Sequence, residues 1–137
     1  MEPMESHVLF VRNDGIFAVD HIDESNGKRV ETQAGSGFTQ NWTHVVAVGP
    51  HILFVRNDGT FAVGHIDESN GHFVNTQAGS GFSPNWTHVV AVGPHILFVR
   101  NDGIFAVGHI DETNGHFVET QDGSGFSPNW THVVAVA

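Results

Sequence analysis

One 44-residue phrase is written three times in this chain, and that constrains the fold more than any motif does. After a leader of residues 1–6, the repeats run 7–50, 51–94 and 95–137, together one repeat domain. The second and third differ at 5 of 43 aligned positions (Thr60/Ile104, Ser69/Thr113, Asn75/Glu119, Ala78/Asp122, Gly93/Ala137), the first and second at 8 of 44. An ordinary single-copy enzyme domain is not built this way. Tandem repeats of this period make solenoids, propellers or trefoils, in which one unit cannot bury its own apolar face.

The second repeat holds four short segments rich in Val, Ile, Phe and Thr. They are separated by Asp58-Gly59, by Asn70-Gly71, by the glycine-rich stretch 78–84 and by Gly93-Pro94. Asp-Gly and Asn-Gly between β-formers signal hairpins, with type I′ turns expected because both central residues take positive φ there. The expected strands are Ile52 to Asn57, Phe61 to Asp67, His72 to Gln77 and Trp86 to Val92. Ile52-Leu53-Phe54-Val55 and Val89-Val90-Ala91-Val92 are continuous apolar runs that suit strands covered on both faces, whereas His72 to Gln77 mixes apolar and polar residues. Burial is therefore expected to fall from the Trp86 strand through the Leu53 and Phe61 strands to the His72 strand. Such a gradient describes a propeller blade, giving an all-β, four-stranded antiparallel β-propeller with three blades per chain. A β-trefoil, also made of three four-stranded units, is the alternative, although its barrel strands should alternate more cleanly between core and solvent.

Three blades do not close a ring. The first expected strand, Val8 to Asn13, is the second of a blade, and the last, Trp130 to Val136, is the first of another. The expectation is a homo-oligomer, most simply a dimer of six blades, which removes two sticky edges per chain.

With 15 Asp plus Glu against 5 Lys plus Arg, the formal net charge of −10 repels phosphate backbones and anionic lipid surfaces, so nucleic acid is not an expected partner. The absence of cysteine excludes disulfides, thiolate catalysis and Cys-ligated zinc. The start MEPMESHVLF is not a secretion signal, and no apolar run approaches the roughly 18 residues of a membrane span. The expectation is a soluble protein without membrane insertion, cytoplasmic or released without a signal peptide. The Asn-Trp-Thr sequons at Asn41, Asn85 and Asn129 are read as accidental.

The phrase FSPNWTHVVAVGPHILFVRNDG, at Phe82 to Gly103 and in close variants elsewhere, resembles the blades of tachylectin-like and tectonin-like propeller lectins. It is most similar in feel to the mushroom six-bladed lectins that recognise terminal N-acetylglucosamine. The resemblance covers residues 7–137 and implies a six-bladed propeller with sugar pockets between blades. The chain departs from it in having three repeats.

The residues themselves offer candidate contacts. Arg12, Arg56 and Arg100 recur at the ends of apolar strands, each followed by an asparagine, Asn13, Asn57 or Asn101. A guanidinium and an amide make forked hydrogen bonds suited to sugar hydroxyls or an N-acetyl carbonyl. Equally, each arginine can pair with Asp14, Asp58 or Asp102 and lock its hairpin. Trp42, Trp86 and Trp130 offer flat faces for pyranose C–H groups, or fill the space between sheets. Histidine is unusually frequent, 11 of 137, and His44, His88 and His132 follow the tryptophans. His65 and Asp67 share a strand face, but spacing alone does not converge three or four metal ligands, so no metal and no cofactor is expected. If many histidines lie at seams, protonation below about pH 6 should loosen the assembly. Asp67 to Gly71 lacks the ligand ladder of a calcium loop and reads as a turn.

There is no nucleophile elbow, phosphate loop or unique acid pair, and enzymes concentrate chemistry in one site. Repetition of a weak pocket favours avidity instead. The reading is a non-catalytic, multivalent glycan-binding protein, with the loop Gly79 to Gly81 shaping the pocket rim. The alternative is a structural or engineered self-assembling repeat without a ligand. Asp20 for Gly64 and Lys28-Arg29 for His72-Phe73 mark the first repeat as different.

Overall fold

The computed structural model describes residues 7–136, so the leader at 1–6 and Ala137 lie outside the described residues. The strands are β1 (His7–Val11), β2 (Phe17–Asp23), β3 (Lys28–Gly35), β4 (His44–Val48), β5 (His51–Val55), β6 (Phe61–Asp67), β7 (His72–Gly79), β8 (His88–Val92), β9 (His95–Val99), β10 (Phe105–Asp111) and β11 (His116–Gly123). They form three separate antiparallel sheets, ordered β1-β2-β3, β4-β5-β6-β7 and β8-β9-β10-β11. Each sheet is thus a meander in chain order, as a propeller blade requires, and no hydrogen-bonded strand pair links one sheet to another among the described residues. By contacts the chain divides into two compact units. One holds the chain up to Trp42 with His65–Val74, the other Thr43–Gly64 with Asn75 onward.

Burial does not peak where the apolar runs suggested. The most covered strands are β5 and β9, where Leu53, Phe54 and Val55 are 0–1% exposed and Ile96, Phe98 and Val99 0–2%. In β4 and β8, Val45 and Val92 remain 44% and 40% exposed. The physical reason is position: β4 and β8 are edge strands, paired on one side, while β5 and β9 have a strand on each side. The outer strands β7 and β11 are largely exposed, as their mixed composition implied.

The Asp-Gly hairpins form, but not with type I′ turns. Among the described non-glycine residues, positive φ occurs at Asn41, Asn85 and Asn129 and so not at Asp58. The Gly59 N–H donates to the Arg56 carbonyl at 3.1 Å, and the Arg56 N–H to the Thr60 carbonyl at 2.9 Å. Only Gly59 is left-handed, at φ 90°. This is a type I turn closed by a left-handed glycine, the longer hairpin loop that also suits twisted strands. In the β6–β7 loop the Gly71 N–H reaches back to the Asp67 carbonyl at 2.7 Å, and Asp67 Oδ1 accepts from the Ser69 N–H and hydroxyl at 2.9 and 2.7 Å. The Ser69 hydroxyl and N–H hold the Asp67 carboxyl below its ordinary value, and Thr113 does the same for Asp111.

The pairing of β10 with β11 shifts register at Val107/Gly108, and that of β2 with β3 at Val19/Asp20. These bulges explain why the first repeat changes at two positions together. A Cβ on Gly108 would lie 2.4 Å from the Phe117 ring. In the first sheet Asp20 stands at the glycine position and Arg29 at the phenylalanine position, and Arg29 Nε is 2.9 Å from Asp20 Oδ2. Asp20 is 3% exposed, so its carboxylate depends on that partner. Arg29→Phe alone should therefore destabilise the chain by about 1–3 kcal/mol by stranding a buried acceptor. Adding Asp20→Gly, which recreates the third repeat's pair, should restore most of the loss in a urea-melt double-mutant cycle.

Candidate functional site

In the unit that contains Thr43–Gly64 and Asn75 onward, the glycine-rich loop docks on the β5–β6 hairpin. The Phe82 N–H donates to the Gly59 carbonyl at 3.1 Å, and the Phe82 ring stacks on Phe61 at 4.2 Å. A Cβ on Gly59 would meet the Phe82 carbonyl oxygen at 2.4 Å, so this glycine is required by close approach as well as by its φ. The chain then passes through Asn85 in the left-handed region, φ 64°, with its N–H on the Asn57 carbonyl at 3.2 Å. Asparagine is the side chain that tolerates this backbone best after glycine, which accounts for the recurring Asn of Asn-Trp-Thr without glycosylation. Thr87 donates its N–H and its hydroxyl to the Val99 carbonyl at 2.9 and 2.8 Å. Trp86, between these anchors, is driven into the core, 7% exposed and 5.3 Å from the Phe98 ring.

Beside Trp86 lies a cavity of about 380 Å³. Its walls are the rings of Phe82, Trp86, Phe98, Phe105 and Phe117, and its polar rim is made by Ser83, Ser124, Glu119 and Asp122. Phe82 and Phe117 meet at 4.9 Å in a tilted pair, and Phe98 meets both edge-on at 5.6 Å. Trp86 Nε1 is shielded from solvent and has no hydrogen-bond partner among the described residues. A larger recess of about 640 Å³ is framed by the turns at Gly49 and Gly93-Pro94 and by His51, His95 and His109. It offers no carbocyclic ring on which a sugar face could stack. His51 Nε2 there is 3.6 Å from Glu112 Oε2. Among the described residues, no cluster of three or more His, Asp or Glu is arranged to hold a metal.

The candidates from the sequence divide sharply. Trp86 lines the aromatic cavity, as does Gly81 of the loop expected at the rim, whereas the candidate arginines, asparagines, histidines and other two tryptophans do not. Trp42 is half-buried, and Trp130 is 49% exposed. The arginines lock their hairpins: Arg12, Arg56 and Arg100 reach Asp14, Asp58 and Asp102 at 2.7, 3.4 and 2.7 Å. The Asp58 carboxyl is held below its ordinary value first by the Thr60 N–H and only later by the Arg56 charge. Asn13, Asn57 and Asn101 sit exposed in the turns. His44 Nε2 contacts the Trp86 carbonyl at 2.9 Å and His88 Nε2 the Trp130 carbonyl at 2.8 Å, each with Nε2 as the donor. His132 Nδ1 lies 3.2 Å from the Thr131 hydroxyl. Sequence reasoning passed over Phe82, Phe117, Glu119 and Asp122. A signal for the last two was present, since Asn75/Glu119 and Ala78/Asp122 are two of the five differences between the second and third repeats.

No protein-family model matches this chain, and no curated protein does either. Solved structures do. The chain is similar to Saccharomyces cerevisiae Sqt1, with TM-score 0.66, 10% identity, and coverage of 94% of this chain and 35% of that one. It is also similar to a putative 6-phosphogluconolactonase from Bacteroides fragilis (TM-score 0.59, 14% identity, 93% and 42% covered). A third is the periplasmic gluconolactonase of Pseudomonas aeruginosa (TM-score 0.56, 17% identity, 93% and 42% covered). The fold is a β-propeller. The chain spans well under half the length of these propellers, and at such identities the likeness extends to fold alone. Among the described residues no helix is long and apolar enough to cross a membrane.

Proposed function

We propose that the protein is a non-catalytic, multivalent carbohydrate-binding protein, whose cavity beside Trp86 accepts a terminal N-acetylglucosamine-type sugar. The observation that carries this reading is the composition of the cavity: aromatic rings below, and two hydroxyls and two carboxylates at the rim. A pyranose has the matching polarity, with an axial C–H face for the rings and equatorial hydroxyls that donate to carboxylates. Glu119 and Asp122 also oppose anionic glycans, so a neutral sugar suits the rim. The N-acetylglucosamine identity rests on the blade phrase alone. Multivalency is supported by the recurrence of that phrase at 38–59 and of its first half at 126–136, with the second repeat's Asn75 and Ala78 making a weaker rim than Glu119 and Asp122.

A glycan array followed by calorimetry with chitotriose tests the reading. Binding confined to neutral, terminal N-acetylhexosamine glycans is the expected result. The exposed pair Glu119→Asn and Asp122→Ala, which installs the second repeat's residues, should weaken binding about tenfold, equivalent to about 1.4 kcal/mol, with the melting curve unchanged. Silence across the array would leave a repeat protein without a retained ligand. Turnover of a bound glycan or of a sugar lactone would make it an enzyme and end the non-catalytic reading.

A further inference from the structure

The first sheet has three strands where the other two have four, and β1 is its edge. In the complete sheets that edge is covered by β4 or β8, each reading HVVAV, in the registers His44↔Val55 to Val48↔His51 and His88↔Val99 to Val92↔His95. Residues 132–136 read HVVAV as well, yet form no strand among the described residues, and Val134 and Val136 are 73% and 86% exposed. On β1, Val8 and Phe10 are 43% and 44% exposed, whereas their counterparts on β9, Ile96 and Phe98, are 0% and 2%. The chain therefore carries both halves of a fourth strand pairing, and no such strand pairing is formed among the described residues.

We propose that a second copy of this chain completes the first sheet: residues 132–136 of each copy pair antiparallel with β1 of the other, closing a reciprocal pair. The register that occurs twice already sets His132 against the partner's Val11 and Val136 against the partner's His7.

Side chains away from that edge make the same match. Thr32 donates its hydroxyl to the Gly71 carbonyl at 2.8 Å, and Thr76 to the Gly115 carbonyl at 2.8 Å. A Cβ on Gly71 or Gly115 would strike those threonines at 2.5 and 2.7 Å. Thr120, the next in the series, reaches only the Val107 carbonyl, at 3.1 Å, and the glycine one step earlier, Gly27, has nothing within 4 Å of a Cβ position. Likewise Gln33 accepts from the Phe73 N–H and Gln77 from the Phe117 N–H, both at 2.8 Å. The same 44-residue step carries Thr120 to the partner's Gly27 and Gln121 to the partner's Arg29. Unpaired strand edges and exposed valines are the surfaces on which chains associate, and a reciprocal pair covers the β1 edge in both copies. None of this depends on the sugar reading.

Light scattering and sedimentation equilibrium of the unmodified chain test the proposal. The expected mass is twice 14.9 kDa at micromolar concentration. Val134→Pro removes a ladder donor at an exposed position, and Phe10→Lys charges the β1 edge. Each should raise the dissociation constant at least a hundredfold while the far-ultraviolet spectrum keeps its β signature. Thr120→Val should raise it several-fold, through a contact outside the strand pairing. A monomer, a mass that climbs without limit with concentration, or a dimer indifferent to Val134→Pro overturns the proposal.

Discussion

Phe98→Ala is expected to lower the unfolding free energy by about 3–5 kcal/mol. Phe98 is 2% exposed and touches three other rings, Trp86 at 5.3 Å and Phe82 and Phe117 each at 5.6 Å. Truncation removes buried apolar surface and leaves a void that these neighbours, fixed by their own backbone bonds, refill only in part. Domains of this size have roughly 5–15 kcal/mol in total, so the melt midpoint should fall steeply. Because Phe98 is also a wall of the aromatic cavity, the proposed sugar binding should weaken in the same variant. Urea melts followed by tryptophan fluorescence, with calorimetry on the surviving folded protein, separate the two effects. A stability loss below about 1 kcal/mol would mean that the ring is not packed as described.

Gly59→Ala is expected to cost about 3 kcal/mol, the sum of a left-handed alanine and a displaced loop. At φ 90° an L side chain is strained, and its Cβ would sit 2.4 Å from the Phe82 carbonyl oxygen. Relief requires the loop to lift, which breaks the Phe82 N–H to Gly59 carbonyl bond and unseats a cavity wall. Gly81→Ala is the matching control: its φ is 105°, but nothing lies within 4 Å of its Cβ position. It should show the strain alone, about 1–2 kcal/mol. Equal losses in the two variants, read from denaturant midpoints, would show that the steric contact carries no weight.

The residues differ in how much they disclose. Strand order and hairpin positions were legible because Asp58-Gly59 and Asn70-Gly71 interrupt β-formers at fixed spacing, but the expected strand from Trp130 to Val136 does not form among the described residues, since it has no neighbour to pair with. The turn type was not, because the Asp-Gly pair serves a type I turn with a left-handed glycine as readily as a type I′ turn. Burial was misjudged for β4 and β8 since an apolar run records what a strand could bury, while its place at a sheet edge decides what it does bury. The arginines illustrate a different limit. Arg100 and Asp102 stand two apart in the chain, and that proximity makes the hairpin pair the cheaper arrangement. A pocket at Trp86 was legible, but its other rings were not, because Phe82 comes from one repeat and Phe98, Phe105 and Phe117 from the next, a juxtaposition that no linear spacing encodes.

The pairing of Asp20 with Arg29 has a bearing on how such a chain reaches its fold at all. Three almost interchangeable copies invite a strand to zip onto the wrong sister during folding, with the hydrophobic pattern raising no objection. Were β2 to align with β11, the Asp20 carboxylate would be buried against the Phe117 ring and opposite Glu119 with no cation at hand, and were β10 to align with β3, the Arg29 guanidinium would lie beside a glycine. Both mistakes are penalised before they can grow. The two departures that make the first repeat look degraded thus act as an address, telling otherwise anonymous strands which hairpin is theirs.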